Sequence, residues 1–418
     1  MAAQRILFIF TYGSYLRAAM PIARYMQGEG DVCDYILYDL GDGAAQIGGA
    51  VTCYPALKEN YQTVRTLAGV LTSATLQRYD AVFFAFGGRE LRTALGMFYA
   101  SVKAMPKRPA AVTLFPGIFA PRQWSGLSAR CRSDMILFNN AHDLAEYQAL
   151  QHAAGTTYDN ARLFGMPALY NSGMTQRAAM QPSQWKNVYF VDQAVLPRTQ
   201  EDRQSLCDFL LAYARRFPQR NLIILMKNAP DSVSAHMCGN TVAERLKARA
   251  GKSGLPANLS ISFAPVQELF ADADFCMSIS SSVMLECIAL GISVAPIADF
   301  GFSFTLGNEG FRACGCALTF EELLNDRIGS IDPIWASRYL AQSPEHLVAL
   351  RASIASFQSS ARQDDDLCSQ ADMLIEYVRT QKRAAFQQLP LKTKIYKMVN
   401  RQKKRMYRMM GMKTGRWS

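Results

Sequence analysis

The sequence predicts an α/β protein of two tandem units, each a parallel sheet covered by helices on both faces. Three observations carry that prediction. Short, almost wholly apolar runs recur along the chain, each ended by glycine or small polar residues and followed by a helical pattern, which is the alternation of sheets buried on both sides. The pattern stops at the breakers Met166-Pro167 and Asn171-Ser172-Gly173 and begins afresh near residue 188. The 418 residues are 50% apolar and only 19% charged, enough material for two or three buried cores.

Residues 4–10 (QRILFIF) read as the first strand, and the turn Thr11-Tyr12-Gly13-Ser14 leads into a helix through Ala18, Ile22 and Met26, four apart on one face. A strand at 34–38 ends in Asp39-Leu40-Gly41-Asp42-Gly43. A helix rich in Leu and Val precedes a strand at 81–86; strands at 111–115 and 135–139 and a helix over about 143–152 complete the first half. The second half repeats the logic with a strand at 188–191, a helix over 200–215, a strand at 222–226, a loop over 227–239 and a weaker strand at 259–263. Without a sequence repeat between them, the halves imply two Rossmann-like domains facing across a cleft, with ligands outside the carboxyl ends of the strands. The expected divisions are 1–172, 173–331, a helical region at 332–380 packing back on the body, and a tail at 381–418.

Charge is not spread evenly. Twelve of the 45 Lys and Arg, and none of the 34 Asp and Glu, fall in residues 382–418, so the body is close to neutral and a nucleic-acid-binding body is not supported. In the tail Ile395, Met398, Val399, Met406, Met409 and Met410 alternate with basic residues beside Tyr396, Tyr407 and Trp417. That pattern reads as a C-terminal basic amphipathic helix suited to an anionic membrane surface through residues 391–418, in preference to a solvated tail or an RNA contact. No uninterrupted apolar run approaches 18 residues, and the run at 6–10 is far short of a signal-peptide core, so the expected location is cytoplasmic, at the inner face of the membrane. The ten cysteines show no C-x-x-C; Cys314-Gly315-Cys316 is the closest pair, and reduced, mostly buried thiols are expected.

The most informative stretch is 275–300, FCMSISSSVMLECIALGISVAPIADF. Its order is strand, polar turn, helix, strand, and Ser280, Ser281 and Ser282 fall where the helix begins. Unpaired N–H groups and hydroxyls at that point favour a phosphate; a single serine there reads more readily as a cap, but three in a row exceed what a cap needs.

This stretch, extended back through VQELFADAD, resembles the donor-binding segment of GT-B glycosyltransferases: an acidic-ended helix, a strand, a serine-rich turn, a helix with Glu, then Gly and an apolar strand. More weakly, VYFVDQAVLPRTQEDR and LIILMKNAPDSVSAH are similar to bacterial glycosyltransferases of nonulosonic (sialic-acid-like) sugar loci. The resemblance implies a nucleotide-sugar donor on the second domain, with a CMP-activated nonulosonic acid as leading donor and UDP- or GDP-hexose open. Residues Ser278 and Ser280 to Ser282 would hold a donor phosphate, Glu286 would reach the ribose, and Lys227 would neutralise charge on the leaving group. Where sialyltransferases commonly carry His-Pro, this chain has Lys227-Asn228-Ala229-Pro230; His236 replaces the histidine or is an exposed loop residue.

The acceptor, a surface glycan or lipid-linked sugar, needs a general base in the first domain. Candidates at strand ends are Asp39, Asp42, Glu90, His142 and Asp143. Glu90 is the first choice, because Gly87-Gly88 bring the backbone close and Arg89 can orient an acidic substrate; the same pair also reads as a solvated helix start. Tyr12, Gly13 and Ser14 offer further contacts and lack the G-x-G-x-x-G of a dinucleotide site, which argues against NAD. Asp272-Ala273-Asp274 matches a metal-binding D-x-D in letters, but it precedes a strand, so neither a metal nor another cofactor is expected. The expected activity is inverting, metal-independent sugar transfer. A UDP-N-acetylglucosamine 2-epimerase-like enzyme and a non-catalytic assembly protein are the alternatives.

Overall fold

The computed structural model describes residues 2–11, 13–40, 57, 61–117, 124–166, 170, 177–178, 180–193, 196–226, 241–303, 305–340, 343–358 and 361–388. The first sheet contains β1 (Arg5–Phe10), β2 (Val32–Tyr38), β3 (Tyr61–Val64), β4 (Ala81–Ala85), β5 (Ala110–Leu114), β6 (Met135–Phe138) and β7 (Ala161–Leu163), in the order β3-β2-β1-β4-β5-β6-β7. All its pairings are parallel, with Phe8 opposite Tyr35 on one side and Phe83 on the other. Its helices are α1 (Gly13–Gly28), α2 (Ser73–Leu76), α3 (Gly88–Val102), α4 (Trp124–Arg130) and α5 (Ala141–Ala153). Alternation along β1 builds both cores: Ile6, Phe8 and Phe10 pack on Leu16, Met20 and Ile22 of α1, while Leu7 and Ile9 face the α3 side with Leu91, Leu95 and Phe98.

The second sheet is also parallel, in the order β10-β9-β8-β11-β12, from β8 (Asn187–Val191), β9 (Asn221–Leu225), β10 (Leu259–Ser262), β11 (Phe275–Ser278) and β12 (Ser293–Pro296). Helices α6 (Gln200–Arg216) and α7 (Val242–Ala250) cover the face of Val188 and Phe190. Helices α8 (Val266–Asp272) and α9 (Val283–Ala289) cover the face of Tyr189 and Val191. Gly291 ends α9 with φ +75, and a Cβ there would collide with the Arg177 carbonyl, so the turn into β12 needs glycine.

After the short α10 (Phe320–Leu324) and α11 (Pro333–Tyr339), the chain returns to the first domain through α12 (Glu345–Ala355) and α13 (Ala361–Gln387). Leu347, Leu350 and Ile354 join the core under β1, and Arg351 forks onto buried Asp31 at 2.7 and 2.8 Å. Arg108 bonds both oxygens of Asp134, at 2.7 and 2.9 Å, and reaches Asp364 of α13.

Most strand expectations match these elements within a residue or two. Two strands escaped: β3 reads YQTV and is largely exposed, and β7 has three residues, so neither carries an apolar run. The Leu- and Val-rich helix expected before β4 is, among the described residues, only α2. The expected tail helix lies outside the described residues. Cys314 and Cys316 are buried, with their sulfurs 3.5 Å apart, and are free thiols, as are buried Cys33, Cys131, Cys207, Cys276 and Cys287.

Candidate active site

Each sheet changes direction once. The chain leaves β1 toward β2 on one side and supplies β4 on the other, and β8 stands between β9 and β11 in the same way. Loops at such switch points diverge and leave a crevice at the carboxyl edge. In the second domain the crevice is bounded by Asp192-Gln193 after β8 and by 279–282 after β11.

The serines are held individually. The Ser278 hydroxyl is buried and donates to the Val191 carbonyl at 2.8 Å, tying β11 to β8 and leaving its oxygen committed to the sheet. Both the backbone N–H and the hydroxyl of Ser280 donate to the Gln193 side-chain oxygen, at 2.9 and 3.0 Å. Ser281 Oγ accepts from the Val283 N–H at 3.3 Å. Ser282 occupies the cap position without capping the helix, and its Oγ lies 3.4 Å from where a Cβ on Gly117 of the first domain would sit. Helix α9 has seven residues, and its first N–H groups, at 283–285, donate to oxygens of Ser281 and Ser282, so the backbone and hydroxyls of Ser281 and Ser282, rather than a long macrodipole, are what the turn offers to an anion.

Glu286 is buried on α9 and pairs with Arg17 of α1 at 2.6 Å. Burial pushes its carboxyl above the usual range while the guanidinium opposes that shift. Asp192 is only 6% exposed and its Oδ1 has no partner among the described residues. Burial pushes this carboxyl up to about 6, against the Gln193 N–H and Arg203.

Across the cleft, buried Asn139 after β6 donates through Nδ2 to the carbonyls of Phe115 and Gly117, at 3.1 and 2.8 Å. Its Oδ1 has no partner among the described residues, nor does the buried Thr11 hydroxyl after β1. Arg130 reaches the carbonyls of Leu114, Gly126 and Phe86 and the Tyr15 hydroxyl, at 2.8–3.3 Å, with no carboxylate partner among the described residues. Glu90 lies in the first turn of α3 beside Gly88, whose φ is +73; a Cβ on Gly87 would strike the Tyr15 hydroxyl. Ser14 is exposed on the first turn of α1, which begins at Gly13. His142 packs against Tyr339 of α11 with the rings tilted by 34° and their centroids 5.0 Å apart.

Tyr12, Asp42, Lys227 and His236 lie outside the described residues, as does the side chain of Arg89. Asp272 bonds Asn187 and the Tyr189 hydroxyl, and Asp274 accepts the Lys186 and Asn187 N–H groups. Both therefore serve the amino end of β8, the far edge from the crevice. Among the described residues no three His, Cys, Asp or Glu gather as a metal site. Sequence reasoning missed Arg17, whose partner is 269 positions away. It also passed over Asp192 and Gln193, although the strand-end rule pointed at them.

Two parallel α/β sheets, each with a switch point at its carboxyl edge, and C-terminal helices that cross back, define a two-domain α/β fold of GT-B type. Residues 6–354 match the family described as "Putative glycosyltransferase (DUF6716)", and the chain belongs to that family. Among solved structures it is similar to a "putative UDP-N-acetylglucosamine 2-epimerase" from Listeria monocytogenes (TM-score 0.58, 12% identity, 85% of this chain and 97% of the other). It is also similar to UDP-GlcNAc 2-epimerase from Neisseria meningitidis bound to UDP-GlcNAc (0.52, 9%, 84% and 100%). A third is the Methanocaldococcus jannaschii enzyme with UDP-GlcNAc and UDP (0.53, 8%, 84% and 100%). Among curated proteins none matches the chain.

Proposed function

We propose that the protein moves a sugar from a nucleotide-activated donor, seated at the β8/β11 crevice, to a cell-surface glycan or lipid-linked acceptor held by the first domain. The observation that carries this reading is the pairing of Ser280 with Gln193 at the second switch point, beside Ser282, whose Oγ would lie 3.4 Å from a Cβ added to Gly117 of the first domain. The reaction is a direct, inverting displacement without a metal: the acceptor hydroxyl attacks the anomeric carbon as the bond to the nucleotide phosphate breaks. Negative charge grows on that phosphate, and the N–H groups and hydroxyls of Ser281 and Ser282, together with Lys227, stabilise it. Glu90 takes the acceptor proton, with His236 as the alternative group near the leaving phosphate. Glu286 accepts from the donor ribose.

The donor class stays within nucleotide sugars. A CMP-nonulosonic acid is supported by the sequence resemblance, and the presence of UDP in fold neighbours of about 10% identity supports assaying uridine nucleotides beside CMP and GDP. Nucleotide release that requires an acceptor glycan is expected. Sugar isomerisation without acceptor would make the chain an epimerase, and binding without turnover an assembly protein. Ser281→Ala and Lys227→Ala are expected to lower transfer roughly 10²-fold or more while the folded state persists; unchanged turnover in both removes the site assignment.

A further inference from the structure

The ion pair between Arg17 and Glu286 joins the two domains charge to charge. Arg17 Nη2 lies 2.6 Å from Glu286 Oε1; the carboxylate side chain is 1% exposed and the guanidinium 18%. Each partner keeps one atom unused: Glu286 Oε2 and Arg17 Nη1 are buried with no hydrogen-bond partner among the described residues. A buried pair left half satisfied is costly, and the open oxygen belongs to the helix that follows the serine turn. It calls for a donor, and a ribose hydroxyl is the donor that a nucleotide brings.

We propose that Arg17 is a positioning residue for donor recognition: by engaging Oε1 from the first domain, it orients the Glu286 carboxylate so that Oε2 accepts from a ribose hydroxyl. This inference rests on the donor seat proposed above and adds that the seat is complete only when the first domain closes on it. Among the described residues Arg17 on α1 and Cys287 on α9 interact electrostatically with Glu286, and Cys276 on β11 with Cys287. Burial holds the Cys287 thiol well above its usual range, so it is neutral, and among the described residues Arg17 is the cation that opposes the effect of burial on Glu286. Without Arg17 the carboxyl keeps its proton to higher pH and accepts less well.

The test is calorimetry on the full chain with UDP, CMP and GDP and their 2′,3′-dideoxy counterparts, between pH 5.5 and 8.5. Arg17→Gln is expected to weaken ribonucleotide binding about ten- to hundredfold and to shift the acid limb of the affinity profile to higher pH. Arg17→Lys is expected to restore much of the affinity, and dideoxynucleotide binding is expected to be indifferent to residue 17. Glu286→Gln is expected to lose the ribose preference without gaining the pH dependence. Wild-type affinity and pH profile in Arg17→Gln would overturn the inference, as would an equal loss of ribo- and dideoxynucleotides. If the wild-type chain binds none of the nucleotides, the donor seat itself is wrong and the inference falls with it.

Discussion

Asp192 ends β8 inside the second crevice, where a carboxylate and a donor phosphate would repel if both were charged. Burial resolves part of that conflict by holding the carboxyl up to about 6 against an ordinary 3.8. The folded state therefore binds more protons than the unfolded chain between those values. The corresponding stability is fully present below about pH 3.8 and is lost as pH rises through about 6, a difference on the order of 3 kcal/mol. Asp192→Asn removes that dependence. Urea unfolding should show the variant gaining on the wild type from pH 4 to 6.5 and holding a constant advantage above; a pH-independent difference would contradict the assignment. Asn139 and Thr11 mark the first crevice in the same way, by buried polar atoms that the described residues leave open.

At the scale of elements, the chain's return to its first domain depends on Arg108. This guanidinium faces two carboxylates, Asp134 under the sheet and Asp364 on α13, so Arg108→Ala would leave a fully buried carboxylate without its cation. A loss of about 3–5 kcal/mol is expected in denaturant unfolding, with early proteolysis in 361–387; a loss below about 1 kcal/mol would show that apolar packing of Ala371, Leu374 and Val378 holds α13 alone. The elements readable in the sequence were those written in apolar runs: RILFIF, AVFFA and NLIIL name buried strands by composition. Strands β3 and β7 were not readable, because an edge strand with exposed or few residues has no buried face to record. The serine turn was placed correctly on a helix start, but its partners were not. Gln193 is 87 positions from Ser280 and Arg17 is 269 from Glu286, and no local pattern encodes a contact made by folding two sheets side by side.

For the whole molecule, contacts between the two halves include Arg17 with Glu286 and His142 with Tyr339, and Ser282 comes close to Gly117. No helix among the described residues is long and apolar enough to cross a membrane; the proposed approach to a lipid-linked acceptor rests on the charge pattern of the basic segment at 391–418. Deleting everything after Pro390 should abolish sedimentation with phosphatidylserine-containing liposomes and spare turnover of a soluble acceptor; undiminished sedimentation would rule out the tail as anchor. The most direct measurement of the central claim is a calorimetric titration of the intact chain and of Ser281→Asp with UDP, CMP and GDP. The account predicts saturable one-to-one binding of one of these nucleotides to the wild type, abolished when a carboxylate occupies the half-exposed position 281. Binding that survives the substitution unchanged, or no binding at all, would contradict it.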